Sequence, residues 1–208
     1  MKRYAFFGLC FVIAAAFASL GVWQIERLQW KHALIERVEA RLTAPPQAAP
    51  NADAWSPDDE YTRVTVSGVF LHEHEALVQA VTDLGPGWWV MTPLRVQHGI
   101  ILINRGFVPS DMRAASARQT QQSTGTVSVT GLLRASEPHG GFLRANAPQE
   151  GRWYSREVEA IARASGLPQP VAPYFIDADA TPNPGGYPVG GLTVVQFRNS
   201  HLIYAITW

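Results

Sequence analysis

The stretch YAFFGLCFVIAAAFASLGVW, residues 4–23, sets the architecture of this chain. It is uncharged and mostly apolar, and its length matches the roughly 20 residues that a helix needs to cross a bilayer. At the other end, NSHLIYAITW, residues 199–208, reads as the opening of a second such run. The predicted fold class is α+β: an antiparallel β-rich exported domain, an N-terminal transmembrane helix and the start of a C-terminal one.

Composition narrows the possible partners and metal sites. Of the 208 residues, 16% are charged and the formal net charge is zero, so no electrostatic footprint for nucleic acid is present. Cys10 is the only cysteine and lies inside the apolar run. An intramolecular disulfide is therefore impossible, and so is a copper or zinc site built from two thiolates.

The N-terminal run has two interpretations. Lys2 and Arg3 followed by apolar residues resemble a signal peptide, and Ala16-Phe17-Ala18 supplies a small-residue cleavage site. The run nevertheless continues through Trp23 without a turn residue, and apolar residues at helical spacing extend to Leu42. The uncleaved anchor is the favoured interpretation.

The basic pair ahead of the run favours a cytoplasmic N-terminus and an exported domain, although basic residues after the run weaken this signal. The short leader leaves no room for an organelle transit peptide, which favours a bacterial inner membrane with the main domain on the periplasmic side. The expected division is a cytoplasmic tip (1–3), a transmembrane helix (4–23), an amphipathic extension (24–42), a linker (43–60), a periplasmic β-rich domain (61–198) and a truncated second transmembrane helix (199–208).

Alternating and apolar segments predict the strands of the exported domain. They are Thr62–Phe70, Ala76–Val81, Trp88–Val96, Ile100–Asn104, Val127–Leu133, Tyr174–Ile176 and Leu192–Phe197. Gln97-His98-Gly99 reads as a hairpin turn. One internal helix is predicted over Ser155–Ser165, with Ser155 as its cap and Gly166 as its terminator.

Motifs for catalysis and metal binding are sparse. The chain has no G-x-S-x-G, P-loop, G-x-G-x-x-G, H-E-x-x-H or C-x-x-C-H sequence. On a strand, His72 and His74 would point to one side and could share a metal, but a solvated polar turn is the simpler interpretation. The acidic run at residues 58–60 is expected to be a solvated loop.

Two arginines receive opposite expectations. Arg105 follows a buried-looking strand, where it could pin a turn or hold a carboxylate such as a haem propionate. Arg118 lies in a Gln/Ser/Thr-rich stretch and is expected at the surface. Replacing Arg105 with Ala is therefore expected to be more damaging than replacing Arg118. The adjacent Trp88 and Trp89 are expected on opposite faces of a strand, with one of them in the core.

His201 stands at the entry of the terminal apolar run, after Asn199 and Ser200. A histidine at this boundary could simply lie half wet at the membrane interface. It could also be an axial ligand of haem iron, for which imidazole is suited. The residues alone favour the interface.

Five blocks of sequence, in order over nearly the whole chain, resemble the surfeit locus protein 1 family of cytochrome oxidase assembly factors. They are LGVWQ (20–24) with Glu26-Arg27 and Trp30-Lys31, GWWVMTPL (87–94), INRGFVP (103–109), Asn146-Ala147-Pro148 with Trp153-Tyr154, and NSHLIYAITW (199–208). Two departures stand out: Phe107 lies where tryptophan is frequent, and the second transmembrane helix of the family is cut off at Trp208.

The resemblance implies a non-enzymatic chaperone for the assembly of haem-copper oxidase, one that binds or presents haem a to the catalytic subunit. It implies His201 as axial ligand, with Trp23, Tyr204 and Trp208 lining an apolar slot and Arg105 as a further cofactor contact. The implied partners are the oxidase catalytic subunit, haem a synthase and the lipid bilayer, without nucleic acid. The alternatives left open are a permanent accessory subunit, a copper-delivery factor, an exported enzyme and an exported interaction domain without cofactor.

Overall fold

A computed structural model describes residues 2–138, 140–141, 144–168 and 170–193 of the chain. These residues divide into two compact units, one ending at Ala40 and the other spanning Arg41–Thr193. The first unit is helical and the second is β-rich.

The long helix α1, Lys2–Thr43, contains the apolar run. It is the one helix among the described residues that is long and apolar enough to cross a membrane, and its apolar window is not buried within the protein. Phe7, Phe11 and Trp23 are exposed along it. Large apolar side chains displayed on a helix favour lipid as their surroundings, because water would leave their apolar area unburied. The predicted N-terminal apolar helix is confirmed.

In the described part of the chain, seven strands form one sheet in the order β1-β2-β6-β7-β5-β4-β3. They are β1 (Gln47–Ala48), β2 (Arg63–Phe70), β3 (Ala76–Thr82), β4 (Gly85–Val96), β5 (Gly99–Pro109), β6 (Thr126–Ala135) and β7 (Val171–Ala178). The second helix, α2, is Val158–Ala164. Short 3₁₀ helices occupy Pro57–Asp59, His72–His74, Ser110–Met112, Ala115–Gln121, Pro148–Glu150 and Pro184–Gly186.

An additional pairing between β2 and β4 closes the sheet into a barrel. The closing pairs are Val69 with Arg95 and Phe70 with Leu94. Gly68 lies where β2 leaves β6 for β4, and a Cβ at this position would come within 2.3 Å of the Arg95 carbonyl oxygen. Only glycine lets the two backbones approach this closely. Closure pairs strand edges that would otherwise invite other chains.

Most strand pairs are antiparallel, as predicted, but the pairs β5–β7 and β1–β2 are parallel. The parallel β5–β7 pair needs a long connection, and β6 and α2 lie within it. Strand β1 lies inside the predicted linker, and it pairs with β2 through Gln47 with Val64 and Ala48 with Thr65. The first part of that segment is therefore attached to the barrel.

The core has two layers on opposite faces of β5 and β7. Ile101 and Ile103 pack in one layer with Tyr174 and Ile176. Their neighbours Ile100, Leu102 and Phe175 pack in the other, together with Val158 and Ile161 of α2. Because both faces are covered, β5 is an almost continuous apolar run rather than an alternating one. Full burial of a side chain such as Ile161 contributes about 1.5–3 kcal/mol.

The internal helix is shorter than predicted and is capped differently. Its N-cap is Glu157, and the Val158 N–H donates to the Ser136 hydroxyl at 3.0 Å. The prediction that Ser155 is the cap is wrong, because its hydroxyl accepts from the Gly140 N–H and the Asn146 side chain. The predicted end of the helix is confirmed, since Gly166 follows it with φ of +61°.

The predicted Gln97-His98-Gly99 hairpin turn is confirmed between β4 and β5, except that Gly99 already belongs to β5 and pairs with Val96. In the predicted strand Leu192–Phe197, Leu192 and Thr193 have no regular structure, and the rest lies outside the described residues. The predicted start of a second transmembrane helix, 199–208, also lies outside them.

Candidate functional site

The segment Asn104–Pro109, the second half of β5, is the centre of the candidate site. The Asn104 side chain bridges a side chain and a backbone group: its Nδ2 donates to the Asp177 carboxylate Oδ1 at 2.8 Å, and its Oδ1 accepts from the Gly106 N–H at 3.1 Å. Asn104 is buried, so these bonds satisfy an amide that water cannot reach. An amide supplies a donor and an acceptor on one rigid group, which is why asparagine suits this position.

A β-bulge follows Asn104. On β4, Met91 pairs with Asn104 and Trp89 with Phe107, so one residue of β4 lies opposite Arg105 and Gly106 together. Bulges of this kind redirect side chains next to functional sites. Gly106 has φ of +125°, and a Cβ there would come within 2.1 Å of the Val189 carbonyl oxygen.

The loop at Val189 holds the bulge in place. The Phe107 N–H donates to the Val189 carbonyl and the Val189 N–H donates to the Phe107 carbonyl, both at 2.9 Å. The sequence Asn-Arg-Gly-Phe therefore specifies one local structure. Its asparagine provides the bridging amide, its arginine is redirected by the bulge, its glycine allows the close approach, and its phenylalanine continues the strand against the loop.

Arg105, the redirected residue, is only 2% exposed. Its Nη2 donates to the neutral Asn183 Oδ1 at 3.1 Å, and its Cζ lies 4.9 Å from the centre of the Phe70 ring. Its Nε is buried and has no hydrogen-bond partner among the described residues. Burial lowers the pKa of Arg105 to about 10, while nearby Glu75 acts to raise the pKa and Arg118 to lower it.

Arg118 is buried as well, with 1% exposure, so the prediction that it lies at the surface is wrong. Its guanidinium binds Glu75 in bidentate fashion, and its Nε donates to the Met112 carbonyl at 2.7 Å. The Glu75 side chain is 7% exposed. Both oxygens of Glu75 are thus engaged by Arg118, and among Glu75, Arg105 and Arg118 one positive charge remains uncompensated.

A second cluster of charges lies around Asp177 at the end of β7. Arg134 and Arg156 each donate to one Asp177 oxygen at 2.9 Å. Arg134 also donates from Nε to Glu60 Oε1 at 3.1 Å, and Arg156 donates to Glu137. Burial acts to lower the pKa of Arg134, but Asp177 and Glu60 outweigh it and the pKa is raised.

The two clusters differ in charge compensation. Arg134 has carboxylates at hydrogen-bonding distance, whereas Arg105 has a neutral amide and an aromatic ring. Networks such as the one at Asp177 join elements of the fold. A buried cation without a carboxylate partner is costly to the fold and therefore points to an external anion.

The remaining predicted positions have structural roles. The acidic run is not simply solvated: Asp59 accepts from the Ser56 N–H in a capping box, and Glu60 binds Arg134. His72 and His74 lie on a 3₁₀ turn rather than a strand, and each donates a ring N–H to a backbone carbonyl, of Ser123 and Ser165. Within the described part of the chain, no group of three or more His, Cys, Asp or Glu side chains could hold a metal ion.

The adjacent tryptophans divide as predicted. Trp89 packs against the core layer that contains α2 and meets the Phe107 ring edge to face, with centroids 6.2 Å apart. Trp88 lies on the other face under the Arg113 guanidinium, 4.8 Å from Cζ to the ring centre.

Of the five expected haem contacts, the structure describes two. Trp23 lies on α1 and is 53% exposed, and Arg105 lies at the bulge. His201, Tyr204 and Trp208 lie outside the described residues. Sequence reasoning missed Glu75, Asn183 and Asp177. The charged Asp177 directly after the apolar Tyr174–Ile176 stretch was a signal of a buried partner, whereas nothing local marks Asn183.

Comparison with known proteins identifies the same family that the sequence blocks resemble. The model of the SURF1 family matches residues 11–208. A SURF1-like protein of Monosiga brevicollis is 40% identical over 206 residues, covering 91% of this chain and 77% of that protein. Surfeit locus protein 1 of Rattus norvegicus is 36% identical, covering 96% of this chain and 69% of that protein, and the Homo sapiens protein is 35% identical, covering 91% and 68%. The chain belongs to the SURF1 family.

Proposed function

We propose that this protein is a membrane-anchored assembly factor for haem-copper (cytochrome c) oxidase. The observation that carries the proposal is the family match over residues 11–208, together with a bulge that gives the Asn-Arg-Gly signature a structural purpose. The catalytic subunit of the oxidase is the proposed partner, and haem a synthase is a second one. The protein acts by binding and presenting a cofactor rather than by turnover.

Haem a is the proposed cofactor, with His201 as axial ligand of the iron through one imidazole nitrogen. Asn199 or Ser200 would accept a hydrogen bond from the other nitrogen and orient the ring. Trp23 supports the fit, because an exposed indole on an apolar helix offers flat apolar area that the protein itself leaves uncovered. Tyr204 and Trp208 are proposed to line the same slot. Bound haem a would supply the redox-active iron destined for the oxidase.

The proposed location is the bacterial inner membrane. In this proposal α1 is an uncleaved anchor, and the unit Arg41–Thr193, called the barrel unit below, lies on the periplasmic side. The exposed apolar face of α1 supports anchoring. Residues 199–208 are proposed to begin a second span.

The test is the haem content of detergent-purified protein from cells that make haem a. His201→Ala should remove or strongly reduce extracted haem and lower oxidase activity, because the iron loses its axial ligand. His98→Ala is the matched control, since His98 is an exposed histidine of the β4–β5 turn. Equal haem content in the two variants would eliminate His201 as a ligand and leave a protein-binding assembly factor without a demonstrated haem ligand.

A further inference from the structure

A cavity of about 200 Å³ lies beside Arg105 in the barrel unit. Drug-sized ligands occupy pockets of about 300–1,000 Å³, so this cavity has no room for a macrocycle. It does have room for a short chain of a few heavy atoms, since one water accounts for about 30 Å³ of liquid volume.

The lining of the cavity combines polar and apolar character. Ser123 and Thr181 bring hydroxyl groups, and Val127 and Val129 of β6 bring branched apolar surface. A ligand with a charged head and a short aliphatic tail would find partners for both parts. A fully hydrated inorganic ion would leave the valine surface without a partner.

The charges point to one negative charge on the ligand. Arg118 occupies both oxygens of Glu75, which leaves Arg105 as the uncompensated cation of the cluster. Among the described residues, the Arg105 Nε is buried without a hydrogen-bond partner, and Nη2 has only the Asn183 amide oxygen. A guanidinium presents N–H pairs that match the two oxygens of a carboxylate.

Asp179 also lines the cavity, but it is not the missing partner. Its Oδ1 accepts from the Thr181 N–H at 3.0 Å. Arg105 forms no ion pair within the described residues. The carboxylate that would neutralise Arg105 is therefore absent from this part of the chain.

We infer that the cavity beside Arg105 is a binding site for a monocarboxylate on a short aliphatic arm. Arg105 holds the carboxylate, Ser123 and Thr181 donate to its oxygens, and Val127 and Val129 cover the arm. The site does not depend on haem ligation by His201. The arm could belong to a porphyrin, as a propionate, or to a free short-chain acid, and the two sources can be distinguished.

The test is titration of the full-length chain in detergent, with the arginine Nε–H signals followed by ¹⁵N NMR at constant ionic strength. Propionate should shift the Arg105 signal, whereas propionamide, its neutral counterpart, should not. The Arg134 signal should stay in place, because carboxylates already surround that guanidinium. Loss of one signal in Arg105→Lys provides the assignment.

Thr181→Phe, at an exposed rim residue, keeps the test independent of any folding defect in the Arg105 variant. It should leave the Arg105 signal visible and weaken propionate binding at least tenfold, because the bulkier side chain obstructs the cavity. An unmoved Arg105 signal at saturating propionate, or an equal shift with propionamide, would overturn the inference.

Zinc protoporphyrin and its dimethyl ester identify the source. If zinc protoporphyrin, with its free carboxylates, shifts the Arg105 signal and the dimethyl ester does not, the arm belongs to a porphyrin. A shift by propionate but by neither porphyrin supports the site with a different acid as its ligand. An equal shift by the ester contradicts carboxylate recognition. Because none of these readouts uses His201, failure here is distinguishable from failure of the proposed function.

Discussion

The guanidinium of Arg118 binds both carboxylate oxygens of Glu75, with Nη1 at 3.1 Å from Oε2 and Nη2 at 2.5 Å from Oε1. Both side chains are almost completely buried. This pair reverses the expectation from sequence that Arg118 is a surface residue and a harmless site for substitution.

Arg118→Met should therefore destabilise the protein more than Arg105→Met. Removing Arg118 leaves Glu75 buried without its partner, a change that typically costs about 3–5 kcal/mol. Removing Arg105 leaves only a neutral amide to be satisfied, at about 1–3 kcal/mol, and relieves an uncompensated buried charge. Urea unfolding of both variants measures the order. Equal midpoints, or a lower one for Arg105→Met, would contradict the charge assignment.

Gly106→Ala should prevent the bulge from forming. The position needs φ of +125°, and the new Cβ would collide with the Val189 carbonyl. Gly125→Ala is the matched control, because Gly125 has φ of +82° but open space around its Cβ position. The control should cost about 1–3 kcal/mol from backbone strain alone, and Gly106→Ala should cost clearly more. Thermal unfolding measures the stability of the two variants. Similar losses of stability would contradict the prediction, because they would mean that the loop at Val189 moves aside at little cost.

Tyr174 should make the stability of the barrel unit sensitive to alkaline pH. Burial raises the pKa of Tyr174 to about 12 from the usual tyrosine value of 10.0. The unfolded chain therefore ionises first, and stability that is complete below about pH 10 is lost as pH approaches 12.

Tyr174→Phe removes this contribution, so its stability should fall less over the same interval, by on the order of 2 kcal/mol. The phenylalanine variant also loses the hydrogen bond from the Tyr174 hydroxyl to the Pro50 carbonyl, which lowers stability equally at every pH below 10. Other alkaline titrations, including that of Arg105, are common to both proteins and cancel in the difference. Parallel pH profiles would contradict the prediction.

The proposed topology can be tested with single cysteines, because Cys10 is the only native one. In a Cys10→Ala background, Asp83→Cys places a thiol at the exposed turn between β3 and β4. It should react with a membrane-impermeant maleimide in spheroplasts. Arg3→Cys, ahead of the apolar run, should react only after lysis. The reverse pattern would place the barrel unit in the cytoplasm, and Asp83→Cys recovered in a soluble, shortened protein would show that the helix is cleaved.

Local patterns predicted the parts of the fold that local chemistry specifies. The apolar run of α1, the β4–β5 hairpin and the glycine after α2 are encoded by adjacent residues. The C-terminal end of β5 was predicted too early, at Asn104 instead of Pro109, because Asn104 and Arg105 look like a polar exit from a strand. They continue the strand because their polar groups are satisfied by Asp177 and Asn183, which lie more than 70 positions away.

The candidate site was predicted only in part, again because the partners of its residues are distant in sequence. Arg105 was singled out, but its lack of a carboxylate depends on Glu75 being engaged by Arg118, across 43 positions of sequence. A polar stretch around Arg118 resembles a solvated loop until its partner is known. The parallel pair β5–β7 likewise depends on a crossover that no single segment encodes.

Two residue pairs, Val69 with Arg95 and Phe70 with Leu94, close the barrel, against seven pairs between β2 and β6. Local opening of the barrel should cost least free energy at this short seam, because opening it breaks few backbone pairs and leaves the other strand ladders intact. Phe70 lies on this seam and over Arg105. Phe70 thus both closes the barrel and covers the guanidinium of Arg105, so opening of the seam would also uncover that buried charge.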